Sequence, residues 1–153
     1  MTTPADPGAT ASTTTPAEPR PKPVPSPEGL NADWYGFCRQ RELRFQRCGD
    51  CGAWRHPPRY RCPTCGSGAW NWEPATGNGV VYSWTVTHQA LHPGYAGDVP
   101  YAVLVGEMSE GVRLVAGVRE IPLTELRLGL PLMVTWERRT DDITLPIFTR
   151  PPA

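Results

Sequence analysis

Four cysteines in two pairs carry the strongest chemical signal in this chain: Cys48-Gly-Asp-Cys51, ten residues, then Cys62-Pro-Thr-Cys65. Two such knuckles bring four thiolates within reach of one ion, and tetrahedral sulfur ligation is the ordinary chemistry of structural zinc. A glycine follows each knuckle, Gly52 and Gly66, which suits a chain that must turn sharply so that backbone amides point at the sulfurs. Pro63 stiffens the second turn. Two disulfides would require an exported protein, and the N-terminus shows no charged stretch followed by an apolar one. A redox CxxC pair would need no duplicate. Four protein ligands leave no position open to substrate, so the one zinc ion expected here builds structure and does no catalysis.

The other reactive residue types give weaker signals. His56 lies between the knuckles with Trp54 and Tyr60, and could ligate only by displacing a cysteine; it reads as cover for the metal site or as a surface residue. Cys38, the fifth cysteine, reads as a packed thiol. His88 and His92 flank a loop where function often lives, yet no nucleophile or carboxylate pair is legible around them. Asp141-Asp142 reads as a turn. Seven arginines lie between Arg39 and Arg61 against Glu42 and Asp50 alone, although the 15 basic and 15 acidic residues of the whole chain cancel. Overall neutrality gives no general pull toward nucleic acid or an anionic membrane. No apolar run is long enough to span a bilayer. A reducing cytoplasm is the expected setting, because it keeps thiolates available for metal.

The elements that must position these residues follow from composition and periodicity. Residues 1–29 hold eight prolines and six threonines with no aromatic residue, so they read as a disordered tail or a semi-extended linker, one that would suit a further domain upstream. Residues 30–42 form an N-terminal helix segment, with a helix expected over 32–41 starting from Asn31 and Asp33. Trp34, Phe37 and Cys38 share one side of it and Tyr35 flanks them, either packed on the chain's own core or offered to a partner. Residues 43–74 form the zinc ribbon, with strands expected over 43–46 and 69–74; Trp70 and Trp72 fall on one face.

Residues 75–150 are all-β in pattern. Val80, Tyr82, Trp84 and Val86 alternate with Val81, Ser83, Thr85 and Thr87 in a half-buried strand; strands follow over 101–108 and 112–119, then an irregular or helical connector over 122–129, then strands around 132–136 and 145–149. Five short strands with one long interruption match a five-stranded partly open Greek-key barrel, the OB-fold. The chain is therefore expected to be mainly β: a helix, a rubredoxin-like zinc ribbon and a barrel.

With these residues in place, the order of parts resembles the family of zinc-ribbon plus OB-fold proteins associated with acyl-CoA metabolism. The resemblance rests on Trp34 and Phe37 of the helix, Arg47-Cys48, Pro58-Arg59, Cys62-Pro-Thr-Cys-Gly-Ser67, Gly79-Val-Val-Tyr-Ser83 with Thr85, Val86 and His88, Pro100-Tyr101, Glu110-Gly-Val-Arg113 and Leu145-Pro-Ile-Phe148. It covers residues 31–149. The resemblance implies a non-catalytic accessory subunit or domain that binds a thiolase-superfamily enzyme and supports binding or transfer of an acyl-CoA thioester. Its sharpest form is the partner of a thiolase-like aldolase of steroid side-chain degradation, joined through a linker to a hydratase-like domain.

Coenzyme A carries phosphates that arginine forks recognise, which makes Arg44, Arg47, Arg55, Arg59 and Arg61 the candidate contacts; any one of them could equally be a solvated basic face. Trp34, Tyr35 and Phe37 are the candidate partner contacts. The competing reading is a single-stranded nucleic-acid module, since zinc ribbons and OB-folds both serve that role. Neutrality, a single lysine (Lys22) and inward tryptophans count against it. An independent CoA-thioester hydrolase or transferase is a third reading, for which no catalytic set is legible.

Overall fold

The computed structural model describes residues 20–152. The expected disordered tail therefore falls, for residues 1–19, outside the described residues. Residues 20–28 carry no helix or strand, and residues 20–24 lie against the barrel.

Helix α1 spans Leu30–Arg39, two residues earlier than expected, because Gly29 and not Asn31 forms the N-cap. The Gly29 carbonyl accepts from the Ala32 and Asp33 amides, so the first turn closes without a side-chain cap. At the other end Arg41 takes a left-handed conformation at φ 61, while Glu42 N–H donates to Phe37 O and Arg41 N–H to Cys38 O. That is a Schellman ending built on arginine where glycine is usual, which is why no glycine announces it in the sequence.

The ribbon has three strands, β1 (Arg44–Cys48), β2 (Trp54–Arg55) and β3 (Trp70–Pro74), in the order β2-β1-β3 and antiparallel throughout. Two-residue β2 was not foreseen; it carries no run of alternating residues to announce it. The barrel follows with β4 (Asn78–Thr87), β5 (Tyr101–Met108), β6 (Arg113–Val118), β7 (Pro131–Arg138) and β8 (Thr144–Thr149). It closes in the order β4-β5-β6-β8-β7, with β6 and β8 parallel and every other pair antiparallel. One short 3-10 turn, Leu123–Glu125, occupies the long connector between β6 and β7.

One core serves both parts. Phe45 of the ribbon and Leu104, Leu114, Leu132 and Phe148 of the barrel are almost wholly buried, and Trp34, Cys38 and Leu43 belong to the same cluster. Helix α1 lies against β8 and so joins ribbon to barrel. Phe148 reaches across to Gly106 of β5, where an added Cβ would meet its ring at 2.5 Å. In β4 a bulge between Val81 and Ser83 changes which side chains face inward. Val81 is buried while Val80 and Tyr82 are exposed, against the expected inward set Val80, Tyr82, Trp84 and Val86; only the last two keep a half-buried position. An extra residue in a strand of period two switches faces beyond it.

Candidate functional site

The ribbon's far end gathers the four cysteines. All four sulfurs lie within 4.8 Å of one another, with Cys48 to Cys65 and Cys51 to Cys62 both at 3.6 Å. A tetrahedron with Zn–S bonds of about 2.3 Å has edges of about 3.8 Å, so the spacing fits one such ion. The glycine turns that were expected are present: Gly52 and Gly66 hold φ 72 and 77, and their amides donate to Cys48 O and Cys62 O.

Electrostatics point the same way. Backbone amides of Cys65 and Thr64 aimed at the Cys62 sulfur hold its thiol down at about 6. At Cys65 the Ser67 amide also pulls down, but the crowded Cys51, Cys48 and Cys62 sulfurs win and push the thiol up to about 12. Four sulfurs this close cannot all ionise unless a cation stands among them. These cysteines could hold a zinc ion, which would supply the cross-link between the two knuckles.

Arginines surround this end but differ in what they can reach. Arg47 and Arg61 are exposed and sit beside the two knuckles, each bonded to a knuckle glycine carbonyl, Gly52 O at 3.3 Å and Gly66 O at 3.4 Å. Arg59 is exposed too. Arg44 pairs with Glu42 at 2.8 Å and lies over the Phe37 ring. Arg55 is only 5% exposed, out of reach of an external phosphate. Its Nε donates to Gln46 Oε1 at 2.8 Å, and neither terminal nitrogen has a partner among the described residues. Strand register puts Arg55 opposite Gln46 and on the sheet face that carries Cys48. A permanent cation buried there needs a counter-charge, and a divalent ion on four thiolates has a net negative one.

The helix aromatics divide in the same manner. Trp34 is 6% exposed, donates Nε1–H to Arg44 O at 3.0 Å and packs on His56 at 4.9 Å, so it belongs to the chain's own core. Phe37 meets Trp72 at 5.4 Å and stays half-buried, as does Tyr35. His56 fills the space between Trp34 and Phe45, and burial pushes its pKa down to about 4, so the ring is neutral. Cys38 is fully buried, with its thiol pushed up to about 12 by desolvation. His88 is exposed, and His92 Nδ1 accepts from the Gly94 amide. Asp141 pairs with Arg138 within the β7–β8 turn, and Asp142 pairs with Arg39 at the end of helix α1.

A groove of about 790 Å³ runs between helix α1 and the outer face of the barrel. Val103, Val115 and Ile147 line it together with Trp34 and His56, and with Tyr95 and Tyr101. The strands beneath it, β5 and β6, are the second and third of the barrel, the face that OB-folds turn toward extended ligands.

Residues 37–71 match the family model described as ChsH2, rubredoxin-like zinc ribbon domain, and residues 72–137 match ChsH2, C-terminal OB-fold domain. A solved chain described as Ltp2-ChsH2(DUF35) aldolase is 40% identical and superposes with a TM-score of 0.76, over 84% of this chain and 98% of that one. The chain belongs to the ChsH2 family.

Two curated relatives of this ChsH2-family chain carry hydratase names. A probable enoyl-CoA hydratase alpha subunit of Thermomonospora curvata is 39% identical over 127 residues, which is 83% of this chain and 39% of the relative. The 3-oxo-4,17-pregnadiene-20-carboxyl-CoA hydratase alpha subunit of Mycobacterium tuberculosis is 31% identical over 112 residues, 73% of this chain and 35% of the relative. The chain thus spans between a third and two fifths of their length. A Sulfolobus solfataricus protein of the DUF35 family, of unknown function, shares the fold at 14% identity and a TM-score of 0.54, over 69% of this chain and 76% of that one.

Within the ChsH2 frame, the ribbon, the four-cysteine cluster and the barrel are features that sequence reasoning had found. It missed the groove, whose lining comes from seven separate stretches of the chain, and the burial of Arg55. A buried arginine and an exposed one look alike in a sequence; the only available hint was that Arg55 directly follows Trp54 in a stretch rich in aromatics.

Proposed function

We propose that this chain is a non-catalytic accessory component of a thiolase-like aldolase and supports the binding of its acyl-CoA thioester. The observation that carries the reading is the 40% identity to a chain of the Ltp2-ChsH2(DUF35) aldolase across 98% of that chain. The ribbon holds one structural zinc ion on Cys48, Cys51, Cys62 and Cys65. Retro-aldol carbon–carbon cleavage belongs to the partner, and the acyl group is that of a degraded steroid side chain, a class consistent with the pregnadiene carboxyl-CoA name of one relative. Of the candidate arginines, Arg47, Arg59 and Arg61 are the exposed ones and are assigned to the CoA phosphates. The complex works in the cytoplasm, with a hydratase-like domain preceding the linker. Among the described residues no helix is long and apolar enough to cross a membrane.

Co-expression with a thiolase-like aldolase, followed by co-purification and an assay of carbon–carbon cleavage, tests this. A stable complex whose activity depends on this chain is the expected result. Separate purification with indifferent activity would sink the reading, and salt-sensitive binding to a single-stranded oligonucleotide would then favour the nucleic-acid role. Thioester turnover by the chain alone would overturn its non-catalytic assignment.

A further inference from the structure

We propose that the barrel carries a recognition site for a proline-rich segment bearing one lysine, and that the chain's own residues 21–25 fill it. The sequence there is Pro21-Lys-Pro-Val-Pro25, alternating prolines that favour an extended polyproline II path and supply no amides for a sheet ladder. Such segments are bound by aromatic-lined surfaces, and a basic residue within them adds register when an acidic one faces it.

Each of those parts is in place. The Lys22 ammonium pairs with the Asp98 carboxylate and lies 5.2 Å from the centre of the Tyr95 ring. Tyr95 in turn stacks on Tyr101, with ring centres 5.3 Å apart and planes at 30°. On the other side Pro21, Pro23 and Val24 line a hollow together with Arg139 and Thr140 of the β7–β8 loop. The segment thus passes between the β4–β5 and β7–β8 loops, the two loops that border an OB-fold's ligand face. Lys22 also lines the groove, so the segment forms part of its wall.

Gly94 shows that the fit is close. A Cβ added there would come within 2.9 Å of Arg20 O, Pro21 O and Lys22 Cα, all atoms of the docked segment and none of the barrel. Its φ lies outside the left-handed range, so the backbone itself would accept a side chain. The missing side chain makes room for the segment. One consequence is mechanical: the described chain is held at the barrel from residue 20, before it reaches the helix.

Backbone relaxation in the full chain tests the proposal. The Lys22 and Val24 amides are expected to be as rigid as the barrel, with order parameters near about 0.85, and to fall below about 0.6 in Gly94→Val while barrel amides stay unchanged. Lys22→Glu and Asp98→Lys should each loosen the segment, and the double variant should restore it. A peptide of residues 20–27 added to the Lys22→Glu chain should shift the Gly94 and Asp98 amides back toward wild-type positions. Mobile Lys22 and Val24 amides in the wild type would overturn the proposal, as would rigidity that survives all three single substitutions. If the double variant is as loose as the singles, or the peptide has no effect, recognition through lysine is wrong.

Discussion

His56 shows how a residue's surroundings set its chemistry. Packed between Trp34 and Phe45 and largely desolvated, it holds a pKa of about 4, below the ordinary value of 6.5. The unfolded chain therefore takes up the proton first as pH falls. Stability is full above pH 6.5, declines as pH drops toward 4, and levels off below; the loss is on the order of 3 kcal/mol. In His56→Phe this component is absent. Urea unfolding of the two chains between pH 7 and 4 should show the stability of the wild type relative to His56→Phe falling with acid, because metal loss affects both alike. Parallel curves would mean that the ring is solvated in the folded chain. Arg55 is the opposite case, a cation that cannot neutralise and so depends on a counter-charge.

At the scale of elements, the ribbon rests on the metal and the barrel on packing. Strands β1 and β3 pair over five residues, but β2 pairs over two, and the knuckle segments beyond them have little apolar surface of their own. Cys48→Ser or Cys62→Ser is therefore expected to abolish zinc retention and unfold the ribbon, since site formation and folding are linked. Metal analysis together with amide spectra checks this, and a retained ion with an unchanged ribbon would refute it. The barrel instead closes around Phe148. Gly106→Ala forces a methyl against that ring and should cost about 1–3 kcal/mol in thermal or denaturant unfolding, with zinc content unaffected.

For the whole molecule, the question is which surfaces are committed internally and which are left for a partner. Trp34 is committed: Trp34→Ala should destabilise the isolated chain by about 3–5 kcal/mol, whatever it does to association. Tyr35 and Phe37 are half-exposed on the same helix and remain available. Phe37→Ala is expected to weaken co-purification with the aldolase by more than it lowers the melting temperature. Equal losses in the two measurements would return Phe37 to the core. The outer barrel face exposes Val80, Tyr82 and Val115, with Arg113 stacked 3.5 Å over the Tyr82 ring.

The sequence by itself determined what is local. Knuckle spacing defined the metal cluster, glycine positions set its turns, and period-two alternation marked β4, β6 and β7, because those signals arise within a few neighbouring residues. It did not determine where β4 switches faces, since the bulge between Val81 and Ser83 is defined only by pairing with β5. It could not separate Arg55 from Arg47, nor Trp34 from Phe37, because burial depends on segments far away in the chain. Nor could it foresee that residues 20–22 meet Gly94 and Asp98, some seventy residues further on. Those outcomes belong to the tertiary structure, in which helix α1 and the leading segment close against a barrel whose strands are assembled from distant parts of the chain.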